Sequence, residues 1–145
     1  MNGDSVFLGT RTMLPLLARH PARAERSTSA IINVSSVRAM IGGANFASYC
    51  AAKGAVRMFT KAVALECAAL GERIRVNSVH PGFIDTPLAR AALDPEALAR
   101  RLSAIPLQRG GTAEEVAAVI LFLASEASSY MTGAELVVDG GTLAG

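Results

Sequence analysis

Three short runs of mainly apolar and β-branched residues, AIINVSS from Ala30, IRVNSV from Ile74 and ELVVD from Glu135, are separated by long stretches of helical character. This alternation constrains the fold more than any other feature. Strands joined through intervening helices pair in parallel, by right-handed crossovers, within an α/β layered sheet. The first run has no polar interruption before Asn33, as expected of a strand covered on both faces. With 51% hydrophobic residues, residues 1–145 suffice for a single domain with its own core.

The segments between the strands read as helices. Over residues 4–19, Val6, Phe7, Met13, Leu14 and Leu17 fall at near-helical spacing, and the helix is expected to bend or break at Pro15. Residues 46–69 are alanine-rich, with small or apolar side chains around much of the circumference. Such a helix is buried on two sides. One side faces the sheet, and the other, lined by Ala52, Phe59 and Val63, is expected to face a second subunit in a homo-oligomer. Gly71 ends this helix, and His80-Pro81-Gly82 stops the second strand after Val79.

Residues 83–111 contain Pro87, Pro95, Pro106 and a glycine pair, and predict a long excursion with one short helix near 95–102, placed as a substrate lid. Thr112, with Glu115 three residues on, makes a capping box for a helix over 113–124. Three strands form a small sheet, and its first strand has one unpaired edge although it reads as buried. The fold therefore reads as incomplete on its amino-terminal side.

Composition excludes several functions. Fourteen Lys and Arg against twelve Asp and Glu are scattered without a basic stripe, which argues against a nucleic-acid partner. The longest apolar run, near 116–124, falls far short of the roughly 18 residues a membrane span needs. The amino terminus has Asp4 early and Arg11 within its apolar stretch, unlike a signal peptide, so a cytoplasmic location is expected. Cys50 and Cys67 lack metal-ligand spacing and read as reduced, packed thiols.

Ser36 follows the end of a strand, and Tyr49 and Lys53 lie four apart on the next helix, one turn from each other on one face. All three can meet in the crevice beyond the carboxyl ends of parallel strands, where ligands of such sheets bind. A phenol ionises near roughly pH 10, and an ammonium a few ångströms away favours the phenolate. A serine hydroxyl that holds a carbonyl oxygen then lets Tyr49 give up a proton as a hydride reaches the carbon. Tyr and Lys at this spacing occur in many helices, so the pair discriminates only together with its surroundings.

Those surroundings resemble the classical short-chain dehydrogenase/reductase family. INVSS, followed thirteen residues after Ser36 by Tyr49 in SYCAAK, is similar to its catalytic Ser and Tyr-x-x-x-Lys motif in type and spacing. RVNSVHPGFIDTP, from Arg75 to Pro87, resembles its strand and Pro-Gly loop, and GAELVVDGG its last strand. NGDSVFLGTR, from Asn2, is similar to its central helix. The resemblance implies the carboxyl-terminal part of a Rossmann-like doubly wound parallel sheet, three strands with flanking helices, and a chain that lacks the amino-terminal strands.

By the same resemblance Ser36 positions the substrate carbonyl, Tyr49 is the acid/base, and Lys53 holds the nicotinamide ribose. Asn2 orders a proton-relaying water, although as a residue it reads equally well as a helix cap. Pro81, Gly82, Ile84 and Thr86 line the nicotinamide end of NAD or NADP, with Gly82 letting backbone approach a ligand and Thr86 offering a hydroxyl. The family's glycine-rich GxxxGxG turn, which binds the pyrophosphate, does not occur in the sequence. Two functions are therefore open: an oxidoreductase that interconverts a small secondary alcohol and a ketone, present as a truncated chain, or an inactive truncated homologue that associates with other subunits of the family. VFLGTR and HPGFIDTPL resemble alicyclic-alcohol and hydroxysteroid dehydrogenases, with the ketoacyl reductases next.

Overall fold

The computed structural model describes residues 2–19 and 28–145. Strands β1 (Ser29–Val34), β2 (Ile74–Pro81) and β3 (Glu135–Val138) form one parallel sheet in the order β1-β2-β3. Ser29 stands opposite Ile74 and Val34 opposite Val79, while Ser78 stands opposite Glu135 and Pro81 opposite Val138. Strand alternation divides β2 between two layers. Ile74 and Val76 join Val63, Ala64 and Cys67 in a core on one face, with Leu14, Leu17, Ile31 and Phe59 packed against it. Val79 joins Val116 and Leu123 on the other face, against Ile32 and Leu136.

The central strand is buried from Ile74 through His80, whereas β1 is only half-buried and Val34 is exposed. This corrects the expectation of a fully covered first strand: among the described residues β1 pairs with β2 alone. β2 also runs two residues beyond Val79. Pro81, which has no N–H to give, takes only the last position of the strand, and the Gly82 N–H continues the ladder by donating to the Val138 carbonyl at 2.9 Å.

Helix α1 (Asn2–Ala18) passes through Pro15 without the expected break. A proline removes one intrahelical bond, and here Leu14 and Leu17 on either side of it pack into the core. Helix α2 (Ala47–Ala69) ends in a Schellman motif: the Glu72 N–H donates to the Cys67 carbonyl, the Gly71 N–H to that of Ala68, and Gly71 takes φ 71°. The face of α2 assigned to a second subunit is corrected in part. Val63 is in the core, Phe59 packs against that core and stands edge-on to Phe7 with ring centroids 5.8 Å apart, and Ala52 is half-buried. Helix α1 covers the side that the sequence assigned to a partner.

The excursion holds two helices, α3 (Pro87–Ala91) and α4 (Pro95–Ser103), where the sequence predicted one. Each begins with an oxygen cap and a proline. Thr86 Oγ1 accepts from the Ala89 N–H and Asp94 Oδ1 from the Ala97 N–H. Its ends are closed by Asp85 N–H to the Gly111 carbonyl and Gly111 N–H to that of Phe83. Helix α5 (Ala113–Ala124) follows with the expected Thr112/Glu115 capping box. Among the described residues no helix is long and apolar enough to cross a membrane, and no group of His, Cys, Asp and Glu could hold a metal ion.

Candidate active site

At the carboxyl end of β1 two serines act differently. Ser35 Oγ donates to the Lys53 carbonyl at 2.9 Å and so fixes the strand end to α2. Ser36 opens a short 3-10 turn over Val37–Ala39, and its Oγ accepts from the Arg38 N–H at 3.2 Å, which leaves the hydroxyl proton available to another acceptor.

The Ser36 carbonyl lies 3.1 Å from Nδ1 of His80, a fully buried ring whose Nε2 is 2.8 Å from Ser78 Oγ. A carbonyl only accepts, so Nδ1 carries the proton. Burial lowers the pKa of His80, against a smaller opposing effect of the Ser36 bond. The neutral ring therefore accepts the Ser78 hydroxyl at Nε2. Sequence reasoning saw His80 only as part of a strand stop. The available signal was the pair Ser78 and His80, two apart and hence on one face of a buried strand.

On α2, Lys53 Nζ donates to the Val34 carbonyl at 3.0 Å and stands 5.8 Å from the centroid of the Tyr49 ring. Burial lowers the lysine pKa. Tyr49 is 37% exposed and meets Phe46 edge-on. Ser36, Tyr49 and Lys53 line one cavity of about 650 Å³. Pro81, Gly82, Ile84 and Thr86 line the same cavity, so seven of the eight residues singled out from the sequence come together. For the eighth, Asn2, the helical backbone is described but the side chain lies outside the described residues.

Two of these residues also have structural duties. A Cβ on Gly82 would lie 2.8 Å from both Cα and Cβ of Asp139, so the approach of the chain beyond β3 by itself requires a glycine here. Thr86 accepts from the Ala89 N–H as the cap of α3 and keeps its hydroxyl proton for a ligand. The excursion closes another wall, with Ala89, Leu93, Arg101 and Ile105 lining the cavity. Gly140 and Gly141, at φ 64° and 92°, let the turn after β3 pack directly on Ile105 and Pro106.

The central strand is polar where it meets the opposite layer. Asn77 donates to the Met131 carbonyl and accepts from the Ala134 N–H. The Arg75 guanidinium donates to the Leu123 and Ser125 carbonyls, Ser128 Oγ and Thr28 Oγ1. These buried groups hold the segment that leads into β3, and no buried side-chain polar atom among the described residues lacks a partner.

The comparisons agree with this geometry. The family model described as Enoyl-(Acyl carrier protein) reductase matches residues 1–142. Cyclopentanol dehydrogenase of Comamonas testosteroni is 44% identical over 97% of this chain and 54% of its own length. An NADP-dependent (R)-specific alcohol dehydrogenase of Lentilactobacillus kefiri is 38% identical over the same shares. Among solved structures, a protein from Agrobacterium tumefaciens described by assignment as a 2-deoxy-d-gluconate 3-dehydrogenase, with bound NADP, superposes with a TM-score of 0.87 at 35% identity, covering 99% of this chain and 56% of that one. The chain thus spans about half the length of the curated relatives it matches. With the motif residues gathered in one cavity and the family model covering nearly every residue, the chain belongs to the short-chain dehydrogenase/reductase family.

Proposed function

We propose that this chain carries the catalytic half of an NAD(P)-dependent oxidoreductase that interconverts a small secondary alcohol and a ketone. The observation that carries the reading is one cavity lined together by Ser36, Tyr49, Lys53 and the Pro81–Ile84 turn. The Ser36 hydroxyl, whose oxygen accepts from the Arg38 N–H, donates its proton to the substrate oxygen. Tyr49 gives that oxygen a proton during reduction and takes it back during oxidation. Lys53 holds its ammonium beside the tyrosine ring, fixed by the Val34 carbonyl.

The residues present fit the nicotinamide riboside end of the cofactor. Lys53 has two N–H groups beyond the one given to Val34, suited to ribose hydroxyls, and Thr86 has a free hydroxyl proton. Pro81, Gly82 and Ile84 offer an apolar floor. When bound, NAD or NADP supplies or accepts the hydride. Asn2, near the start of α1, is the further member of the family pattern and orders the water that relays protons to Lys53.

A second reading is a non-catalytic relative that acts by association with other subunits, in the cytoplasm. The observation in its favour is the outer face of α2, where Met58 and Leu65 are exposed, with Leu70 just beyond. Titration with NADH and NADPH, followed by nicotinamide fluorescence and gel filtration, separates the two. Ketone-dependent turnover that vanishes in a folded Tyr49→Phe variant supports the catalytic reading. Turnover unaffected by that change refutes the assigned roles, and a folded chain that binds no nicotinamide favours the associating relative.

A further inference from the structure

Among the described residues, the charged ones that line the cavity are Arg38, Lys53 and Arg101, and no carboxylate lines it. Two of these cations already have local duties. Lys53 is tied to the Val34 carbonyl beside Tyr49, and Arg38 gives Nη1 to the Gly42 carbonyl at 2.6 Å and lies over the Phe46 ring. Arg101 differs. It projects from α4 with its guanidinium 5.4 Å from the centroid of the Phe83 ring, half-buried, and has no carboxylate partner among the described residues.

Four other arginines, unlike Arg101, have carboxylate partners, and Arg75 gives its guanidinium to carbonyls and hydroxyls. Arg57 is paired with Glu135, Arg90 with Asp85, Arg100 with Glu96 and Arg109 with Glu115. Arg100, next to Arg101 on the same helix, is exposed and paired, whereas its neighbour lines the apolar cavity. A guanidinium held over an aromatic ring in an apolar wall gains most from an anion that arrives with the ligand, since its planar fork matches a carboxylate or phosphate. The ring stack also fixes the arginine, so little further ordering is needed on binding.

We propose that the substrate is a ketone or secondary alcohol bearing a second, anionic group, and that Arg101 is the residue that recognises it. The inference rests on the oxidoreductase reading for the ketone end of the ligand. Its chemical class is a small hydroxy or oxo acid, with the carbon skeleton between the two groups lying against Phe83, Leu93 and Ile105.

The test compares 3-oxocyclohexanecarboxylate with its uncharged carboxamide, titrated calorimetrically into the full chain. The carboxylate is expected to bind about tenfold tighter, the value of one well-formed charge-assisted contact. Arg101→Met keeps an apolar stem over Phe83 and should bring the ratio near one, Arg101→Lys should keep part of it, and Arg100→Met should leave it intact. Circular dichroism verifies the fold of each variant. Equal binding of both ketones to the native chain overturns the anionic substrate while leaving the ketone reading in place. Binding of neither ketone overturns both. A preference that survives Arg101→Met, or an Arg101→Met variant that loses NADPH affinity with the ratio unchanged, overturns the assignment by placing the anion elsewhere or giving Arg101 to a cofactor phosphate.

Discussion

Replacing His80 by leucine removes two hydrogen bonds, the one that joins the Ser36 carbonyl to the central strand and the one that the ring accepts from Ser78 within that strand. A leucine fills a comparable volume, so the cost is chiefly polar. Ser78 can turn its hydroxyl to the Ala134 carbonyl, already 3.4 Å away, and stays satisfied. The Ser36 carbonyl loses the His80 N–H but keeps the Ala39 N–H at 3.0 Å, so the cost is that of one buried hydrogen bond, about 0.5–1.5 kcal/mol. The expected loss is about 1 kcal/mol, or about 3 °C in Tm for a domain of this size. His80→Asn places an amide N–H near the position of Nδ1 and should recover most of that loss.

Urea unfolding monitored by circular dichroism at constant slope gives both values, and amide exchange should quicken at residues 36–41. There is also a pH signature. Burial holds the folded pKa of His80 below its ordinary value, so the unfolded chain binds the proton first on acidification. The contribution is fully present above about pH 6.5 and is lost as pH falls from there through the lowered folded pKa. Glu135, Arg57 and Lys61 also act on this ring, but more weakly than burial. In His80→Leu this part of the acid sensitivity should vanish. A leucine variant within about 0.5 kcal/mol of the native chain, or an asparagine variant no better than leucine, refutes the assigned bonds, since surface-like substitutions fall in that range.

Other expectations follow from the same geometry. Gly82→Ala drives a Cβ to 2.8 Å from the Asp139 backbone and should cost about 1–3 kcal/mol, read as a lower Tm. Hydrogen bonds from Arg57 hold the Glu135 carboxyl below its ordinary pKa, with a smaller share from Lys61. That stability is present above the ordinary glutamate range and lost as pH falls through the lowered folded value, so Glu135→Gln should flatten the acid limb of an unfolding titration. Lys53→Met should weaken nicotinamide binding severalfold in the fluorescence titration while the far-ultraviolet spectrum stays unchanged, because α2 carries this side chain partly exposed at the cavity edge.

Elements defined by local chemistry were legible in the sequence. The Thr112/Glu115 cap, the Gly71 terminus and the alternation that makes the sheet parallel each depend on neighbours a few residues apart. Ser36, Tyr49 and Lys53 were legible because spacing along a strand end and one helical turn determines where they meet. What escaped depends on distant partners. Phe59 and Val63 turn inward because α1 lies over them, and Gly82 is imposed by Asp139, 57 positions further along the chain. His80 reads as a turn residue until the Ser36 carbonyl is placed against it. The helix at Pro87 was within reach, since a threonine followed by proline is an amino-terminal helix signal.

Lysine 53 is laced to the end of β1 at both extremities of the residue: its ammonium donates to the Val34 carbonyl, and its own carbonyl accepts from Ser35. A free lysine side chain loses as much as about 1.5–2 kcal/mol of rotamer entropy when it is immobilised. Here that immobilisation takes place as strand and helix come together, before any ligand arrives. A hydroxyl that reaches the ammonium meets a charge already stationary and aimed, so docking need not be slowed by a searching side chain. The same lacing carries a liability. Any slip of α2 along the sheet displaces the cation and the serine together, so damage to this one seam would silence both at once.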